Sequence, residues 1–309
     1  MAASARGCAI LLSTYNGAAY LPALLESIRA QTERDWVLLW RDDGSRDETA
    51  AILNEWGTAN PERLKPLTQP AGNLGVVGSF MALLRVAEAE GFAAAAFADQ
   101  DDVWLPEKLA WALSMLHRER SETPALYCAR QRLVDGALQE IGLSASLAGP
   151  AGFPASLTQN IATGNTVVLN RAAIRLIAPS APPRESWHDW WCYLMVSAAG
   201  GTVLRDERPV ILYRQHGGNV VGAPASPLHR ALAALRRGPG EFMSIFRKNV
   251  AALMLASAAF PPATRQSLAA ISEALAKPWF FRLSVLRIPG FIRNSTLQTA
   301  LFRLWFLIG

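Results

Sequence analysis

Several features that would assign a chain at sight are missing from this sequence. No stretch reaches the ~18 uninterrupted apolar residues of a membrane-crossing helix. The N-terminus, M-A-A-S-A-R-G-C-A-I-L-L-S, lacks the basic segment and long apolar core of a secretory signal. Cysteine is scarce: Cys8, Cys128 and Cys192 lie far apart with no C-x-x-C pair. That spacing argues against a zinc ribbon and a disulfide framework and fits a reducing, cytoplasmic setting. No Walker sequence occurs, and the first apolar run is followed by S-T-Y-N-G in place of G-x-G-x-x-G. A P-loop enzyme and a dinucleotide-dependent oxidoreductase are therefore disfavoured. Lysine is sparse and no nucleic-acid-binding motif appears, so nucleic acid is not an expected partner.

Apolar residues are plentiful, at 51% of 309 residues, enough for a full core. Charge is unevenly spread. Residues 226–309 hold 11 Lys and Arg against Glu241 and Glu273, so +9 of the net +5 lies there and residues 1–225 carry −4. The asymmetry divides the chain into a domain at 1–225 and a basic extension at 226–309.

Within the first part, short apolar runs alternate with helical patterns. Cys8 to Ser13 reads as a strand, Tyr20 to Gln31 as a helix with Leu21, Leu24, Leu25 and Ile28 in phase, and Trp36 to Trp40 as a second strand. This βαβα order predicts an α/β fold with a largely parallel sheet flanked by helices. The most informative stretch is Phe92 to Lys108, F-A-A-A-A-F-A-D-Q-D-D-V-W-L-P-E-K. A buried strand there ends in Asp99, Asp101 and Asp102, at the sheet edge where α/β proteins bind ligands. Three carboxylates so close repel one another unless a cation intervenes, and Mg²⁺ or Mn²⁺ with phosphate oxygens is the natural complement. An acidic turn capping the next helix is the simpler alternative. Likewise Asp42 or Asp43 after the second strand could cap a helix or receive a pyrimidine N–H.

Six motifs, S-T-Y-N-G, D-D-G-S-R-D-E-T, D-Q-D-D-V-W-L-P-E-K, A-T-G-N-T, H-D-W-W and Y-R-Q-H-G-G-N, follow one another in this order. Together they resemble a family 2 glycosyltransferase of the GT-A fold over residues 8 to about 222. The D-Q-D-D-x-W-x-P-x-K form is similar to rhamnosyltransferase-like members that assemble bacterial surface polysaccharides. The resemblance implies a Rossmann-like mixed, mostly parallel sheet, with a nucleotide-sugar half at about 1–110 and an acceptor half at about 111–225. It implies Mg²⁺ or Mn²⁺, a nucleoside-diphosphate sugar donor such as dTDP-rhamnose, a glycan or lipid-linked acceptor, and transfer with inversion.

Roles follow position by position. Ser13 and Asp43, with Tyr15 and Asn16 beside them, match donor-nucleotide contacts. Asp101 matches the direct metal ligand, and Asp99 the partner of ribose or of metal-bound water. Gly164 and Asn165 match a turn beside the donor sugar, and Asp189 the catalytic base that deprotonates the acceptor hydroxyl. His188 is its rival. Of Trp187, Trp190 and Trp191, one is expected to line the acceptor cleft and the others to be buried. Arg214 is placed on the phosphates and His216 on metal or diphosphate.

The extension repeats Arg with Leu, Ala and Phe at helical spacing. Basic amphipathic helices of this kind lie on anionic membrane surfaces, which would put the protein at the inner face of the cell membrane. Alternatively the helices pack on the catalytic domain with their arginines in solvent. Two other functions share the fold: a GT-A-like binding scaffold without catalysis, and a sugar nucleotidyltransferase. The latter needs a basic loop after the first strand, and S-T-Y-N-G-A-A-Y has neither Lys nor Arg.

Overall fold

The structure, a computed structural model, describes residues 6–215 and 238–309. His216 and the helical repeat at 228–237 lie outside the described residues. Nine strands form one mixed sheet: β1 (Arg6–Thr14), β2 (Trp36–Asp42), β3 (Leu64–Pro66), β4 (Phe92–Ala98), β5 (Val103–Trp104), β6 (Ala125–Val134), β7 (Glu140–Leu143), β8 (Val168–Asn170) and β9 (Thr202–Arg214). They are ordered β3-β2-β1-β4-β8-β6-β9-β5, with β7 beside β6. The first four in that order run parallel, β8 lies antiparallel to both β4 and β6, and β6 pairs in parallel with β9. The expected GT-A arrangement is thus present. Its parallel half is built by helices α1 (Leu21–Arg29), α2 (Thr49–Ala59) and α3 (Gly75–Ala89) crossing between strands.

Strand alternation explains why both sheet faces are covered. Cys8, Ile10 and Leu12 of β1 face one apolar cluster together with Leu24 and Ile28 of α1 and Leu109 of α4 (Lys108–Leu116). Ala9 and Leu11 face the other, with Phe80 and Leu84 of α3. A strand buried on both faces cannot alternate polar and apolar residues, which is why β1 and β4 read as unbroken apolar runs. The second cluster also receives a short α5 (Ala155–Thr158), α6 (Arg171–Ile177) and α7 (His188–Ala198).

The basic extension joins that same core. Met243, Phe246 and Val250 of α8 (Gly240–Leu255), Leu268 and Ile271 of α9 (Pro262–Leu275), and Phe302 and Phe306 of α11 (Thr296–Ile308) are buried in it. A short α10 (Arg282–Val285) precedes the last of these helices. Burying one such side chain stabilises by about 1.5–3 kcal/mol. The amphipathic pattern of these helices is therefore largely spent on the domain itself.

Candidate functional site

Parallel pairing brings the C-terminal ends of β1, β2 and β4 to one edge, where three loops are fastened together. The Asp43 amide donates to the Thr14 carbonyl (2.8 Å). Gln100 grips the Tyr15 backbone from both sides, accepting from its N–H (2.9 Å) and donating to its carbonyl (3.0 Å). Asn16, in the left-handed region at φ 49°, donates its amide to Ser45 Oγ (2.8 Å) and accepts from the Arg46 amide (2.9 Å). Ser13 is half-buried beneath this knot, while Tyr15 is 52% exposed with its ring free of these backbone bonds. Gln100 was invisible as a clip in the sequence, although it sits inside the most prominent motif.

Neither aspartate after β2 caps α2; Asp47 bonds Thr49 there instead. Asp42 accepts from Thr14 Oγ1 and from the Ser45 amide and hydroxyl. Asp43 is buried and paired with Arg41, and it receives the amides of Leu74 (2.7 Å) and Gly75 (2.8 Å) where α3 begins. Ser79 Oγ donates to the same Oδ1 (3.0 Å). Three of these four donors converge on Oδ1, so Oδ2 is the oxygen with capacity left for a base N–H.

The acidic loop differs from these neighbours in its electrostatics. Asp99 and Asp101 are half-buried, and Asp102 is fully buried. Burial, with the charges of Asp101 and then Asp189, raises the Asp99 carboxyl to about 7. Burial, followed by Asp99 and Asp101, pushes Asp102 well above the usual carboxylate range. Asp102 Oδ2 accepts from Asn165 Nδ2 (2.5 Å), and its Oδ1 is buried without a hydrogen-bond partner. Lys108 is the nearby cation, but its ammonium is buried over the Trp104 ring and donates to the Asn165 carbonyl (2.7 Å). Desolvation pulls its pKa well below the ordinary lysine value. Lys108 therefore adds little positive charge to this corner.

That donor set fits a hard divalent cation. Mg²⁺ and Mn²⁺ take oxygen ligands, use one or two protein carboxylates and fill the rest with water and phosphate. Among the described residues no three His, Cys, Asp or Glu side chains converge into a complete cage. Asp99 and Asp101 suit an open site of the one-or-two-carboxylate kind. Arg214 approaches the same loop from below: its Nε donates to the Asp101 carbonyl (3.2 Å), its Nη1 to the Gly136 carbonyl (2.8 Å), and its guanidinium lies over Tyr20. It is buried, so it holds the loop's backbone as well as adding charge beneath it.

Asp189 sits in the first turn of α7, where the helix dipole favours a carboxylate. Its Oδ2 accepts from the Gly164 amide (2.9 Å), Oδ1 from the Trp190 amide (2.5 Å), and the Asn160 side chain also bonds it. Burial outweighs these bonds and raises its pKa to about 6.

Four of the residues expected at the acceptor or sugar pocket, Asn165, His188, Trp190 and Trp191, are buried. Asn165 is fully buried, donating to Asp102 and accepting from Gln131 Nε2 (2.7 Å), so it braces the acidic loop. Trp190 and Trp191 are buried, with their indole N–H groups committed to the Ser156 carbonyl and to Ser180 Oγ. Of the three tryptophans only Trp187 is exposed, at 37%. His188 is buried, stacked on Phe80 (4.1 Å between centroids) and edge-on to Phe97 (4.9 Å). Desolvation drops its pKa to about 3, so it is neutral at pH 7 and cannot rival Asp189 as a base exposed to an acceptor. Gly164 is buried too and reaches the site only through Asp189; a Cβ there would stand 2.8 Å from His188 Nε2.

A parallel sheet edge with an acidic corner beside a helix-borne carboxylate is the arrangement expected of the GT-A fold. Residues 9–135 match the family model described as glycosyl transferase family 2. It is 27% identical over 223 residues to the dTDP-rhamnosyl transferase RfbG of Shigella flexneri, covering 70% of this chain and 75% of that one. The Escherichia coli glucosyltransferase WfgD, described as acting on α-D-GlcNAc-diphosphoundecaprenol with UDP-Glc, is 32% identical over 107 residues, 35% of this chain and 40% of that one. In fold the chain is similar to Staphylococcus aureus TarS 1–349 in complex with UDP-GlcNAc, with TM-score 0.58 and 17% identity over 93% of this chain and 75% of that one.

Proposed function

We propose that this glycosyltransferase moves rhamnose from dTDP-rhamnose to a hydroxyl of a glycan or lipid-linked glycan, with inversion, in the assembly of a bacterial surface polysaccharide. The observation that carries the transfer reading is the juxtaposition of the acidic loop, Asp99 and Asp101, with Asp189, whose raised pKa suits a general base. The donor sugar is inferred from the similarity to RfbG.

In this reading the nucleotide lies over the fastened loops. Ser13, Tyr15, Asn16 and Asp43 Oδ2 meet base and ribose, and the exposed Tyr15 ring gives the base a face to stack on. Asp101, with Asp99 beside it, would hold Mg²⁺ or Mn²⁺, which when bound offsets negative charge on the leaving diphosphate. Arg214 adds fixed positive charge beneath the same phosphates. Asp189 removes the acceptor proton as the acceptor oxygen attacks the anomeric carbon and the C–O bond to the diphosphate breaks. Gly164 and Asn160 hold that carboxylate in place, and Trp187 offers a sugar-stacking face at the acceptor side. No covalent intermediate with the chain is needed. A lipid-linked acceptor would place the protein at the cytoplasmic face of the membrane, touching it through the C-terminal helices.

The test is a product assay: purified chain, dTDP-rhamnose and Mn²⁺, with membrane extracts as the acceptor source. Formation of a rhamnosylated product with release of dTDP supports the proposal; no transfer from any nucleoside-diphosphate sugar would favour the non-catalytic scaffold.

A further inference from the structure

The helical extension buries its amphipathic faces in the domain core, yet one part of it turns large apolar side chains outward. After Pro278 the turn Trp279–Phe281 exposes three consecutive aromatic residues, at 58%, 52% and 44% of their surface, and Leu283 follows, also exposed. The rings touch each other, with centroids 6.1 Å apart for Trp279 and Phe280 and 4.6 Å for Phe280 and Phe281. Soluble surfaces scatter such residues singly; a contiguous patch marks a contact.

Arg282 explains why the patch is fixed. It is the one member of the W-F-F-R-L run that points inward, donating from Nη1 to the carbonyls of Phe306 (3.0 Å) and Leu307 (3.2 Å) at the end of α11. The aromatic turn is thereby riveted to the end of a helix whose Leu304 and Ile308 are themselves exposed and four residues apart. Around these apolar groups basic residues predominate, with Glu273, paired with Lys277, the acid at their edge. Residues 274–309 contain Lys277, Arg282, Arg287, Arg293 and Arg303 and not a single Asp or Glu. Lys277 lies over the Phe281 ring, and Arg287 and Arg303 are exposed.

We propose that Trp279, Phe280, Phe281 and Leu283, rimmed by Lys277, Arg287 and Arg303, insert into an anionic lipid surface. The inference rests on the membrane-surface reading above and names the element that makes the contact. Tryptophan and phenylalanine beside arginine and lysine suit the boundary between acyl chains and anionic headgroups. A second copy of the chain is a poorer occupant, because pairing this predominantly basic patch with itself opposes like charges.

The test is co-sedimentation of the full chain with vesicles of phosphatidylcholine alone or mixed equally with phosphatidylglycerol. The wild type should pellet with the anionic vesicles and be released by salt. Phe280→Ser with Phe281→Ser should weaken that binding by about tenfold or more, with an unchanged melting temperature and an unchanged shift on adding donor. Arg287→Glu with Arg303→Glu should weaken it on anionic vesicles only. Wild-type pelleting that the serine pair leaves intact overturns the patch while sparing the membrane reading. A wild type that pellets with neither vesicle overturns both, as does a concentration-dependent dimer that the serine pair dissolves without any lipid binding.

Discussion

The two sides of the cleft edge contrast in how they settle their polar groups. Around Asp42 and Asp43 the protein supplies the donors, from Thr14, Ser45, Arg41, Leu74, Gly75 and Ser79, and the loops are rigid scaffold. Around Asp99, Asp102 and Asp189 burial dominates: pKa values rise to about 7 at Asp99 and about 6 at Asp189 despite the Gly164 and Trp190 amides on the latter, and Asp102 keeps an unpartnered oxygen. Both regions are aspartate-rich loops at strand ends, so sequence alone does not separate them. The difference lies in how strongly burial and neighbouring carboxylates act on each group.

The sharpest way to break this contrast is at Asp189. Asp189→Asn should lower transfer by about 10²–10⁴-fold while donor affinity stays unchanged; equal losses in donor binding would dissolve the division of labour. Asp101→Asn should also cost about 10²-fold in turnover, but with loss of the metal-dependent part of donor binding, read by titration calorimetry. On the scaffold side, Gly164→Ala places a Cβ 2.8 Å from His188 Nε2. It should lower the melting temperature by several degrees and slow turnover about tenfold through a displaced Asp189, leaving the donor KM unchanged. Gln100→Ala removes only neutral hydrogen bonds to Tyr15 and should raise the donor KM a few-fold, the smallest effect of the set.

The pH dependence sharpens the same contrast. The folded-state values of Asp99 and Asp189 lie above the ordinary 3.8, so each binds its proton more tightly in the folded chain. Their contribution to stability is complete below that ordinary value and is lost as pH rises through about 6 to 7. Without added metal, the melting temperature should therefore increase between pH 8 and pH 5.5, and Mn²⁺ should shrink the difference by stabilising the ionised carboxylates. Turnover should move the opposite way, falling as Asp189 is protonated below about 6.

Much of this architecture was legible because buried parallel strands advertise themselves. β1, β2 and β4 appear as apolar runs ending in polar turns, and the helices between them follow from leucine spacing. The acidic corner and the position of Asp189 in the first turn of α7 were legible for the same local reason. Burial of particular side chains was not. Trp187, Trp190 and Trp191 share one short motif, and only the orientation of α7 decides that the first is exposed and the other two are core. Asn165 and His188 look functional because they are polar and stand in motifs; long-range packing against Asp102, Gln131, Phe80 and Phe97 gives them structural places. The extension reads either as membrane-binding helices or as helices packed on the domain; the fold buries apolar faces of its described helices in the domain and exposes the turn at Trp279–Phe281.

The most direct test of the central claim is calorimetric titration of dTDP-rhamnose and other nucleoside-diphosphate sugars into the wild type, Asp101→Asn and Asp189→Asn, each with and without Mn²⁺. The account predicts donor binding that Mn²⁺ strengthens in the wild type and in Asp189→Asn, and that Mn²⁺ no longer strengthens in Asp101→Asn. Binding indifferent to Mn²⁺ in all three proteins, or lost equally in both variants, would contradict it.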